Sequence, residues 1–140
     1  MRTLIIHLVI VISLAACGEA HAQATSLAGD WSGESLCFGD NPSCHDEKVV
    51  YHISVDPADS TRVKIAADKI VDGKPVPMGD VYLKYDTAKQ TLTGKLETAR
   101  FQGVWEFSVR GNVIQGSLSI LPDKAMGRKI RVQKNESIKK

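Results

Sequence analysis

The residues best equipped for chemistry stand together in Cys44-His45-Asp46-Glu47. Imidazole nitrogen and carboxylate oxygen are the donor types that hold transition metals, and Asp40 and His52 are close enough in sequence to join such a set. The spacing works against a metal centre. Consecutive residues of a strand point to opposite faces, so His45 and Glu47 share one face and Asp46 the other. The expected role is a solvated, hydrogen-bonding turn, with His45 and Glu47 as the alternative metal pair. His52 falls opposite Tyr51 in its run and is expected on a wet face. The chain carries no nucleophile elbow, phosphate loop or His-Glu-x-x-His, and nothing sets paired carboxylates across a cleft. The expectation is a protein that is not an enzyme and uses no metal or other cofactor.

The cysteines and the N-terminus indicate the compartment. Arg2 precedes an apolar run from Leu4 to Ala16, interrupted by His7 and Ser13 and followed by small residues. This is the layout of a secretory signal, and the run is too short to cross a bilayer as a stable helix. Two processing sites compete. Leu14-Ala15-Ala16-Cys17 resembles a lipoprotein box with Cys17 as the acylated residue, and Ala20-His21-Ala22 before Gln23 resembles an ordinary cleavage site. Gly18 is not the Asp that keeps such lipoproteins in an inner membrane, so a lipidated product is expected to face the periplasm from the outer membrane. Of three cysteines, Cys17 is acylated or removed, which leaves Cys37 and Cys44 to pair in an oxidising space. The intervening Gly39, Asp40, Asn41 and Pro42 favour a turn there.

The expected organisation is a signal at residues 1–22, or 1–16 for a lipoprotein, a short tether at 23–26, one domain at 27–134 and a polar tail at 135–140. Formal net charge is +2, with no large field of one sign. Nucleic acid is therefore not an expected partner, and a membrane is expected only through a lipid on Cys17.

The elements that must position any site are strands. Val49, Tyr51, Ile53 and Val55 alternate with Val50, His52 and Ser54, and Val63, Ile65 and Ala67 with Arg62, Lys64 and Ala66. The same period of two runs through Val81-Leu83-Tyr85, Leu92-Leu96, Phe101-Trp105-Phe107-Val109, Ile114-Leu118-Ile120 and Ile130-Val132. Asp56-Pro57, Asp72-Gly73, Pro77-Met78-Gly79-Asp80, Asp86-Thr87, Gly111-Asn112 and Pro122-Asp123 punctuate the runs. With a first strand at Gly29 to Cys37, the pattern predicts an all-β domain, a single antiparallel up-and-down meander of about eight strands. Closure into a small barrel would remove the exposed edges.

Gly94, Gly103 and Gly116 fall on the inward register of three successive strands. Glycine inside a strand marks a bend or a close approach. It either makes room for Trp31 or Trp105, or opens space for a small ligand lined by Tyr51, Gly94, Gly103, Trp105 and Gly116.

Leu27-Ala28-Gly29-Asp30-Trp31 resembles the opening Gly-x-Trp of the calycin barrels, the lipocalins, avidins and their relatives. That resemblance implies that Trp31 plugs one end of the barrel and packs against a late arginine, Arg131, with Arg128 as the other candidate. An avidin-type ligand site does not map onto the chain. Ser35-Leu36-Cys37, Cys44-His45-Asp46-Glu47, Val50-Tyr51 and Ala67 to Gly79 are similar to small exported bacterial proteins without an assigned activity. A looser likeness, to periplasmic inhibitors of secreted metalloproteases, rests on barrel type and an early disulfide.

Three function classes follow. The first is a non-catalytic envelope binding module for a small apolar ligand or a protein contact. The second is a periplasmic protease inhibitor. The third is a metal-dependent enzyme using His45 and Glu47. The volume and lining of the barrel interior discriminate among them.

Overall fold

A computed structural model describes residues 24–136. Eight antiparallel strands follow one another around a closed barrel: β1 Gly29–Cys37, β2 Glu47–Asp56, β3 Asp59–Val71, β4 Lys74–Asp86, β5 Thr91–Glu97, β6 Gln102–Arg110, β7 Val113–Ile120 and β8 Ala125–Lys134. β8 returns to pair with β1, Trp31 against Lys134 and Cys37 against Arg128, so the sheet has no terminal strand. This is the up-and-down meander that the alternation predicts, and the architecture that the calycin resemblance implies.

The period of two decides what lies inside. Val49, Tyr51 and Ile53 of β2 are buried, as are Val63 and Ile65 of β3, Leu83 and Tyr85 of β4, and Ile130 and Val132 of β8. Burying each such side chain contributes roughly 1.5–3 kcal/mol, which is why the register is held.

One end of the barrel is closed. Trp31 is 1% exposed and its indole N–H donates to the Leu27 carbonyl at 2.8 Å. A helical turn at residues 24–26 brings Ala24 and Leu27 into the core beside it. Ala24 thus packs, although it lies in the segment expected as a tether. The Trp31 plug is present, but its cation is not Arg131. Lys134 lies over the indole at 5.6 Å and also donates to the Ser26 carbonyl at 2.7 Å. The cause is parity. Ile130 and Val132 point inward, which turns Arg131 outward, opposite Glu34 of β1, and leaves Arg128 and Lys134 on the inner register.

The other end is the mouth. There the β3–β4 hairpin turns through Asp72 and Gly73, both left-handed at φ 50° and 75°. Two such residues in a two-residue loop match the twist of the flanking strands, which is why Asp-Gly suits it. β4 pairs with β5 only from Lys84↔Thr93 to Asp86↔Thr91. Above that seam, residues 74–80 of β4 are exposed; Pro77 to Asp80, expected as a turn, instead continue the strand, paired with β3 across a register shift at Ala67 and Asp68 that absorbs the irregular residues. Pro75 and Pro77 lie on this stretch, where an edge without a full set of N–H donors resists pairing with another strand.

Candidate functional site

The disulfide forms as expected. Cys37 and Cys44 are joined, with Cα atoms 5.9 Å apart, and they tie the β1–β2 connection at the mouth. The polar residues after Cys44 brace that loop. The Asp46 carboxylate accepts the Cys37 N–H at 2.7 Å. The His45 carbonyl accepts from Arg128 Nη2 at 2.8 Å, while the residue itself is exposed. Glu47, half-buried on the inner face of β2, lies 3.5 Å from Arg128 Nη1 and 3.8 Å from Lys69 Nζ. Among the described residues, no three His, Cys, Asp or Glu side chains come together within reach of one metal ion.

Arg128 is the residue that sequence reasoning undervalued. Its Nη1 donates to the Ser35 hydroxyl at 2.8 Å and to the Ser35 carbonyl at 3.1 Å. It therefore stitches β8 to β1 and to the start of β2 around the mouth. The signal was present, since Arg128 shares the inward parity of Ile130 and Val132.

Beneath this clamp lies a cavity of about 230 Å³. Its walls include Ile65, Val81, Leu96, Phe107 and Leu118, with the rings of Tyr51 and Trp105. Ser35, Glu47 and Arg128 form a polar edge, and the cavity reaches Met78 and Asp80 on the exposed stretch of β4. Trp105 and Phe107, two apart on β6, stack with centroids 5.6 Å apart.

Two polar atoms in this lining lack protein partners. The Trp105 indole nitrogen is buried and unpaired. The Tyr51 hydroxyl meets no partner among the described residues, and Tyr51 is 5% exposed. Burial pushes that hydroxyl far above the ordinary tyrosine range, against a smaller downward pull from Arg128. It stays protonated at any physiological pH.

Tyr51 and Trp105 thus lie where a ligand lining was expected, and Gly94, Gly103 and Gly116 do not line the cavity. They relieve crowding between strands. A Cβ at Gly116 would run into the Glu106 carbonyl and lie 2.7 Å from the Phe107 Cα on the neighbouring strand. A Cβ at Gly94, which stands opposite Trp105, would fall 2.5 Å from a Leu83 methyl, and one at Gly103 would fall 2.7 Å from Leu118. These are places of close approach, the other meaning of a strand glycine.

On the outer wall, His52 lies between two carboxylates, 2.7 Å from Asp30 and 3.2 Å from Asp68. The hydrogen bond to Asp30, then that to Asp68, raises its pKa above the ordinary histidine value.

Exposed large apolar side chains gather at the mouth end. Leu36 and Phe38 flank the β1–β2 connection, Val71, Val76 and Met78 the β3–β4 hairpin, Phe101 the β5–β6 turn, and Met126 the start of β8. Cys17 lies outside the described residues. No protein-family model matches the chain, and no curated protein does.

Proposed function

We propose that the protein is a non-catalytic binding module of the bacterial cell envelope that takes a small apolar molecule into the mouth of its barrel. The observation that carries this reading is the apolar-walled cavity of about 230 Å³ in a barrel stopped at its far end by Trp31. Small-molecule sites are concave, mostly apolar and furnished with a few polar groups. An engineered apolar cavity of about 150 Å³ already holds benzene, so a single ring with a short substituent suits this one. The resemblance of Gly29-Asp30-Trp31 to the calycin opening agrees with a ligand-holding barrel. The secretory pattern before Gln23 and the Cys37–Cys44 pair favour the periplasm, with Cys17 as the candidate lipid anchor.

The test is a titration with ethylbenzene followed in amide and methyl NMR spectra. Saturable shifts are expected at Leu96, Trp105 and Leu118, with Trp31 unmoved. Leu118→Trp, which fills the cavity, should abolish them. Undisturbed spectra at saturating ethylbenzene would end this reading. Anchoring is tested separately, because Cys17→Ser should release the protein from the membrane fraction. An unchanged distribution with Gln23 at the N-terminus would leave the module free in the periplasm.

A second reading, contact with another protein, draws on the apolar side chains around the mouth, since exposed apolar patches mark interaction surfaces. A protease inhibitor would be one such case.

A further inference from the structure

The charges that line the cavity are each already paired. Arg128 spends Nη1 on Ser35 and Nη2 on the His45 carbonyl, and its remaining attraction goes to Glu47 at 3.5 Å. Asp80, at the opposite rim, is paired with Lys64 at 2.7 Å. Inside the cavity a charged ligand would find no unpaired counter-ion among the lining residues and would lose its own hydration. An organic carboxylate would also face Glu47.

The uncommitted polar atoms are neutral. Tyr51 on β2 and Trp105 on β6 stand four strands apart in a ring of eight, hence on opposite walls. An indole nitrogen can only donate, and a tyrosine hydroxyl can donate or accept. The Trp105 nitrogen is closed off from the cavity by its own burial, so the Tyr51 hydroxyl is the group a ligand meets; a phenol donates far better than it accepts, and an acceptor oxygen answers it. A buried donor left without one is costly, so supplying it stabilises the complex.

We infer that the cavity selects an uncharged, largely apolar molecule carrying one acceptor oxygen, a ketone, ester or ether, that takes the hydrogen bond of the Tyr51 hydroxyl. The inference rests on the ligand-binding reading and adds the chemical class. It excludes carboxylates and amines of the same skeleton, and it treats plain hydrocarbons as occupants without the polar contact.

The experiment compares ethylbenzene, acetophenone and benzoate on the parent protein and on Tyr51→Phe, by calorimetric or NMR titration. The decisive quantity is the ratio of acetophenone to ethylbenzene affinity, because it cancels any general change in the cavity. One neutral hydrogen bond corresponds to roughly three- to tenfold, so that ratio should fall by about this factor in Tyr51→Phe. Benzoate should bind the parent more weakly than acetophenone. An unchanged ratio, or tighter binding of benzoate, would overturn the inference while leaving the binding reading intact. If none of the three binds the parent, the binding reading itself fails and the inference goes with it. Should Tyr51→Phe not fold, the benzoate comparison on the parent still decides on charge. The Tyr51 ring signals of the parent then decide on the acceptor, since acetophenone should shift them more than ethylbenzene does, and equal shifts would count against it.

Discussion

The two tryptophans should respond to the same substitution in different ways. Trp31→Phe removes an N–H that donates to the Leu27 carbonyl at 2.8 Å inside the core, and it leaves that carbonyl unpaired. The missing bond and the stranded acceptor together cost about 1–3 kcal/mol. The smaller ring weakens the interaction with Lys134 and opens a small void, adding roughly 1 kcal/mol. The expected destabilisation is therefore about 2–4 kcal/mol, or roughly 10–20 °C in Tm for a domain of this size. Trp105→Phe deletes a buried N–H that has no partner. Relief of about 1–3 kcal/mol offsets the smaller apolar area that a single ring buries, worth roughly 1–2 kcal/mol. Stability should stay within about 1 kcal/mol of the parent. The assay is denaturant unfolding followed by far-ultraviolet circular dichroism, which does not depend on the fluorophore removed. Equal destabilisation in both variants would refute the claim that the Trp105 nitrogen is unpaired. A neutral Trp31→Phe would refute the plug.

Reducing the Cys37–Cys44 bridge, which spans a sequence separation of 7, should cost about 2.5 kcal/mol by loop-closure entropy, and thiol titration of the denatured, unreduced protein should find neither cysteine free. His52 should titrate above the ordinary histidine value in an NMR pH series, and Asp30→Asn should lower it most, because the hydrogen bond to Asp30 is the first cause of the shift. Since the folded value is raised, the contribution of the His52 hydrogen bonds to Asp30 and Asp68 is complete below the unfolded value near 6.5 and fades as pH climbs through the folded value; stability that rises with pH over that window would contradict it. Gly116→Ala should cost roughly 1–3 kcal/mol by forcing β6 and β7 apart, whereas a Cβ at Gly39 meets nothing within 4 Å, so Gly39→Ala should cost only its backbone strain. Comparable midpoints for the two variants would show that the close approach at Gly116 is not tight.

Period-two alternation made the strands legible, because each run had to bury Val, Ile, Leu or aromatic side chains on one face. The disulfide was legible because only Cys37 and Cys44 remained after the signal. The partner of Trp31 was assigned by analogy, and the parity of Ile130 and Val132 would have corrected it. Arg131 cannot face the core while both of those do. The Asp30–His52–Asp68 arrangement was not legible. It depends on a register that sets Asp30 against His52 and brings β3 alongside, and many residues supply that register through packing. The cavity was legible only in part. Tyr51 and Trp105 were on the inward face, but the sequence did not show that β4 leaves β5 above Lys84 and so opens the wall. The inward glycines allowed either close approach or ligand space, and the sequence could not choose, because a missing Cβ admits a neighbouring strand as readily as a ligand; the structure shows close approach.

The closed end carries both ends of the described chain. Ala24 and Leu27 pack beside Trp31, and the Asn135 N–H donates to the Asp30 carbonyl on the same side. The mouth is at the far pole, where the even-numbered strands begin. A protein moored through either end, by a lipid, a fusion partner or a sensor surface, would stand on its plug with its opening turned away from the support. Holding it from one pole leaves the other free to trade with solution, so surface attachment through either end should leave binding at the mouth unimpeded.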